Sequence, residues 1–113
     1  MSLTIEDLSP TVVKLVLQGR LDSLSVAPLE LPFTAAASGS GKHVLVDLSQ
    51  VTFCASLALR MVIASARVVQ RRGQHMVLFG AQPPVAEVME TVAMSKLMPI
   101  VQTQAEAQAL LTA

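Results

Sequence analysis

The order of segments in this 113-residue chain predicts a small α/β domain. We expect a mixed, mostly parallel sheet of about four to five strands, accompanied by about four helices. Three observations lead there. Val44-Leu45-Val46-Asp47-Leu48 and His75-Met76-Val77-Leu78-Phe79 are apolar runs without alternation, as central strands covered on both faces are. Helical segments separate them, giving the order strand, strand, helix, strand, helix, strand, helix, strand, helix, which calls for right-handed crossovers. Hydrophobic residues make up 52% of the chain and aromatics 3%, so one domain spanning 1–113 can bury a sizeable aliphatic core.

Thr11-Val12-Val13-Lys14-Leu15-Val16-Leu17-Gln18 is β-branched and partly alternating, a strand stopped by Gly19. Leu3-Thr4-Ile5-Glu6 alternates too and can pair with it across the Ser9-Pro10 turn. The segment Ser25 to Ser38 holds Pro28 and Pro32, and an interior proline costs about 3 kcal/mol. Its helix either starts near Pro32 and is short, or is kinked there. Ser38-Gly39-Ser40-Gly41 reads as a flexible link. After the strand at Val44–Leu48, Asp47 to Phe53 forms strand and turn. A helix then runs from Ser56 to Arg72, closed by Gly73, with Ser56 as its N-cap. Pro83-Pro84 opens the next helix, which runs to about Ala93. Pro99-Ile100-Val101 is a short last strand. Thr103 and Glu106 have the spacing of a capping box for the final helix.

The formal net charge of +0 hides a segregation. No acid lies between Asp47 and Glu87, an interval that holds Arg60, Arg67, Arg71 and Arg72. Arg60, Arg67 and Arg71 share one helical stripe. The excess is too small for a nucleic-acid footprint but suits a protein interface. No apolar stretch has the length of a membrane span, and the N-terminal residues have no signal-peptide pattern, so a cytoplasmic protein with no membrane insertion is expected. The single Cys54 cannot form an internal disulfide and reads as a buried core thiol. His43 and His75 each mark the first residue of a strand. Ser38-Gly39-Ser40-Gly41-Lys42 precedes a strand instead of following one, the wrong context for a phosphate loop. No catalytic motif, metal site or cofactor motif emerges.

Gly19-Arg20-Leu21-Asp22 resembles the "G-x-L-D" that follows the second strand of STAS domains (sulfate transporter and anti-sigma factor antagonist). Val44 to Phe53 resembles that family's "vvlDls-x-v-x-f" strand and turn. The Gly73 turn, the strand to Phe79, the Gly80-Ala81-Gln82-Pro83-Pro84 opening and the capped last helix continue the match over nearly the whole chain. The likeness is to the free-standing bacterial anti-sigma factor antagonists. It implies a partner-binding module and no enzyme. The partner implied is a serine kinase that is also an anti-sigma factor, and weak homodimerisation is compatible with the likeness. Ser56 matches the family's phosphorylated serine. A phosphate there adds about −1.5 to −2 charges, which a helix N-terminus stabilises. The partner face then comprises Ser56, Leu57, Arg60 and Arg67. Against the family pattern Asp-Ser-x-Gly-Leu, this chain has Ala55-Ser56-Leu57-Ala58-Leu59, and Arg60 takes a position usually small. These departures leave a second reading open: a STAS accessory subunit of a lipid-transport ABC complex, or another unphosphorylated interaction module. A small enzyme or nucleotide-binding protein is the third.

Overall fold

A computed structural model describes residues 2–112. Five strands form one sheet in the order β1-β2-β3-β4-β5. They are β1 (Ser2–Ser9), β2 (Val12–Leu21), β3 (His43–Cys54), β4 (Met76–Phe79) and β5 (Ile100–Val101). The β1–β2 hairpin is antiparallel, and every later pairing is parallel. The helices are α1 (Ser23–Ser38), α2 (Ser56–Arg71), α3 (Pro83–Thr91) and α4 (Gln104–Thr112). The predicted class and element order both hold.

Apolar runs without alternation are explained by two cores. Leu15, Leu17, Val44, Val46 and Leu78 face a large cluster built with α1, α2 and α3. Their neighbours Leu45, Val77 and Phe79 point the other way, against Ala107 of α4. Each central strand is therefore buried on both faces, and polar alternation would cost burial on one of them. Asp47 is the buried polar residue of β3, and its Oδ1 accepts the Ser49 N–H at 2.9 Å.

Several boundaries differ from expectation. Gly19 does not stop β2: it adopts φ 93°, and the strand continues to Leu21 across a register shift between Gly19 and Arg20. β3 likewise runs on through Cys54, because its second half pairs with that continuation. His75 lies just outside β4, stacked on His43 with ring centroids 5.4 Å apart, and its N–H donates to His43 Nδ1 at 3.0 Å. Pro99 lies outside β5, and only its carbonyl joins the ladder, accepting the Leu78 N–H at 3.1 Å. α3 ends at Thr91, because Ala93 turns left-handed at φ 54° before a 3₁₀ turn at Met94–Lys96. At α4 the Glu106 N–H donates to Thr103 Oγ1 at 3.1 Å, while the Thr103 hydroxyl donates to the Glu106 carboxylate. The capping spacing is used, with the return bond made to the hydroxyl.

α1 is neither short nor begun at Pro32, which excludes the first of the two courses expected for it. It runs sixteen residues from Ser23 with both prolines inside. Val26, Leu29, Phe33 and Ala37 form its buried face, and Pro28 and Pro32 lie on the opposite, exposed side. The carbonyls deprived of an N–H partner, those of Leu24 and Pro28, therefore fall on the solvent side, where water can satisfy them. The start is fixed by Asp22. Its Oδ1 accepts the N–H groups of Leu24 and Ser25 at 3.2 and 3.0 Å, and Ser25 Oγ accepts the Asp22 N–H at 3.0 Å. The bond from the Ser25 N–H, foremost, holds the Asp22 carboxyl below its ordinary pKa. A depressed carboxyl stabilises the fold above its unfolded pKa and loses that contribution as pH falls through the folded one. Asp22→Ala is accordingly expected to destabilise the fold at pH 7, where the carboxylate cap is fully ionised. Urea titrations at pH 7 and pH 3 check it, the difference from wild type shrinking at the lower pH.

Candidate functional site

Parallel pairing sends β2 into α1 and β3 into α2 at the same edge of the sheet. Register places Arg20 beside Phe53 and Leu21 beside Cys54, and the Ala55 N–H donates to the Leu21 carbonyl at 2.8 Å. That bond ties the entrance of α2 to the entrance of α1. The irregularity after Gly19 turns Arg20 over the Phe53 ring, 4.1 Å from its centroid. Arg20 Nε also pairs with Asp22 Oδ2 at 3.3 Å. The Gly19-Arg20-Leu21-Asp22 motif thus builds a small polar platform at the mouth of both helices.

Ser56 is not the N-cap of α2. Ala55 is, with extended backbone at φ −80° and ψ 161° and no side chain able to cap. The Ala58 and Leu59 N–H groups both donate to the Ala55 carbonyl, at 3.0 and 3.3 Å. Ser56 occupies the first helical position, exposed, and its hydroxyl makes no hydrogen bond among the described residues. The capping role expected of it is absent because α2 begins at Ser56 itself, one residue earlier than that role requires. A hydroxyl left unengaged at a helix start is open to solvent and to a partner.

From Ser56, at about 100° per residue, Arg60 and Arg67 fall within about 40° on the helix surface and Arg71 within about 60°. All three arginines are exposed, and none has an ion pair among the described residues. Leu57, 42% exposed, is turned toward α1. It lines a cleft of about 310 Å³ with Val26, Glu30 and Thr34 of α1 and Arg60, Met61 and Ala64 of α2. So the four anticipated residues do share one exposed face. Ala58 is fully buried; its methyl points into the core and obstructs nothing that approaches α2.

Three contributors escaped the sequence reading: Arg20, Phe53 and the side of α1 carrying Val26, Glu30 and Thr34. Asp22-x-x-Ser25 carries the spacing of an N-cap, and it could have placed the start of α1 correctly. The Arg20–Phe53 contact depends on strand register, which no local pattern reveals.

Cys54 is buried as expected, and that burial pushes its thiol pKa up to about 11. A thiol so raised stays protonated, so it is neither a nucleophile nor a ready metal ligand. Native protein is expected to leave Cys54 unreactive toward a disulfide reagent at pH 8, with full reaction once urea unfolds the chain. Rapid native labelling would refute this. No group of three or more His, Cys, Asp or Glu suited to a metal occurs among the described residues. No described helix is long and apolar enough to cross a membrane.

The family model described as "Mlab, STAS domain" matches residues 5–102. BtrV of Bordetella bronchiseptica, named as a candidate anti-sigma factor antagonist, is 27% identical over 109 residues, which cover 96% of this chain and 93% of that protein. An anti-sigma factor antagonist from Mycobacterium paratuberculosis superposes with TM-score 0.88 at 18% identity, covering 99% of this chain and 94% of the other. The anti-sigma factor antagonist SpoIIAA in its unphosphorylated form gives TM-score 0.78 at 19% identity over 94% and 92% of the two chains. The Bacillus SpoIIAA in its phosphorylated form gives 0.71 at 18%, over 96% and 97%. At these identities the superpositions establish the fold.

Proposed function

The chain belongs to the STAS-domain family, and from that premise we propose that it is a regulatory protein-binding module of the anti-sigma factor antagonist kind. It has no catalysis of its own, binds a serine kinase that doubles as an anti-sigma factor, and is switched by phosphorylation of Ser56. The carrying observation is the placement of Ser56: exposed, first in α2, its hydroxyl unengaged, at the head of an unpaired arginine stripe. A phosphate there brings about −1.5 to −2 charges to a face that is otherwise basic. The α2 dipole offsets part of that charge, so the fold persists while the face changes sign. Arg60, four residues on, is within reach of the phosphate. Phosphorylation thereby removes the basic surface on which the partner docks.

The test is incubation with ATP and a cognate serine kinase, followed by intact-mass measurement. One phosphate is expected, and none on Ser56→Ala. Phosphate on Ser49 or Thr52 instead would overturn the assignment.

Ala55 favours a second reading. An aspartate at that N-cap would accept first-turn N–H groups and lie beside the serine, and alanine does neither. Without it the module can serve unphosphorylated, as an accessory subunit of a lipid-transport ABC complex. Neighbouring genes separate the two: a kinase-like ATPase supports the switch, whereas permease and ATPase subunits support the accessory role.

A further inference from the structure

The groove between α1 and α2 has two walls of opposite chemistry. Where it lines the cleft the α1 wall carries Val26, Glu30 and Thr34, and along its outward crest it is apolar, with Leu24 and Leu31 88% and 81% exposed on the side away from the core. A helix apolar all round normally has both sides covered, yet the core covers one side of α1 only. The α2 wall is basic. Lys14, Arg20 and Lys42 each pair with a carboxylate of their own chain, but Arg60, Arg67 and Arg71 pair with none among the described residues. The cleft at Leu57 adjoins a second depression of about 370 Å³ lined by Arg60, Ile63, Ala64 and Arg67. The two share Arg60 and Ala64, so they run along α2 from Leu57 to Arg67, about 15 Å of helix axis.

We infer that this groove seats an acidic amphipathic helix of the partner protein. The inference rests on reading the domain as a protein-binding module and is independent of Ser56 phosphorylation. Aliphatic anchors of the partner helix lie against Leu24, Leu31 and Leu57, and its carboxylates lie over Arg60 and Arg67. Glu30, standing in the cleft, excludes an acid from the α1 side and so fixes which flank is which. An extended segment is disfavoured, because the backbone of both walls is spent within helices and offers no strand edge to pair with. Nucleic acid would meet the arginines but find nothing for its phosphates on the α1 wall. A second copy presents Glu87 and Glu90 on α3, but the apolar Val85 and Met89 of that helix are buried in its own core and cannot anchor.

The experiment titrates isotope-labelled protein with a synthetic helix-forming peptide of about five turns, with leucines on one flank and glutamates on the other. Shift perturbations are expected to cluster at Leu24–Leu31 and Leu57–Arg67, with affinity falling several-fold between about 50 and 500 mM salt. Replacing the peptide glutamates by glutamine, or using the Arg60→Gln, Arg67→Gln protein, should each weaken binding about tenfold. Leu31→Gln, at an exposed position that leaves the fold intact, should weaken it too. Equal binding of the glutamine peptide, equal binding of a glutamate peptide lacking leucines, perturbation elsewhere, or no binding would overturn the inference. So would self-association of the free protein in sedimentation that Leu31→Gln abolishes, because it would assign the groove to a second copy. Ser56→Ala should bind the peptide like wild type. Failure of kinase labelling with peptide binding intact would then remove the switch alone.

Discussion

Phe33→Ala is expected to lower the unfolding free energy by about 3–5 kcal/mol. Phe33 is fully buried on the inner face of α1 and is the one aromatic side chain among the buried residues of the larger core. The other two phenylalanines lie elsewhere: Phe53 is partly exposed beneath Arg20, and Phe79 faces α4. Around Phe33 the core is leucine, valine, methionine and alanine, held between α1, α2 and α3 and the parallel strands of the sheet. Such walls collapse poorly, so most of the vacated volume stays empty and the cavity adds to the lost transfer energy. Against a typical total of about 5–15 kcal/mol this is a large fraction. Phe33→Leu, which leaves a smaller void, should cost under about 1.5 kcal/mol if the site repacks. Urea unfolding of both variants decides the matter. An alanine variant losing less than the leucine limit would show that α1 settles inward, and that its docking on the sheet is looser than its burial suggests.

What the sequence revealed of the fold divides along a physical line. The two-sided burial of β3 and β4 was legible, because a strand sandwiched between layers has no polar alternation to keep. The helix after Pro83 and the Thr103–Glu106 cap were legible too, since each depends on residues within a few positions. The extensions of β2 past Gly19 and of β3 to Cys54 were not. They exist because each strand supplies the other's pairing partners, a non-local fact. α2 likewise begins one residue earlier than a Ser56 cap requires, so Ala55 is the cap and the chemistry of the candidate site changes. A capped serine is spent on its own helix, whereas the serine at the first helical position is free. The arginine stripe was legible from spacing alone. That its members have no carboxylate partner among the described residues, and that α1 carries exposed leucines beside it, needed the assembled structure.

Pro32→Ala is expected to raise stability by about 2 kcal/mol, contrary to the usual outcome of substitution. Inside a helix proline is about 3 kcal/mol less favourable than alanine. The restricted unfolded chain returns roughly 0.4–1 kcal/mol of that, and the remainder is recoverable. Alanine at 32 restores an N–H to the Pro28 carbonyl and removes the ring from its vicinity. Because Pro32 is exposed, the core loses no contact when the ring goes. At about 4–8 °C per kcal/mol for a domain near this size, the melting temperature should rise by about 10 °C. Calorimetry checks it, and a melting point unchanged or lowered would mean that α1 has already relaxed around the ring. Pro32 shares the outward side of α1 with Leu24 and Leu31, so Pro32→Ala should stabilise the domain while weakening the acidic peptide, the ring being part of the apolar surface on which that peptide docks.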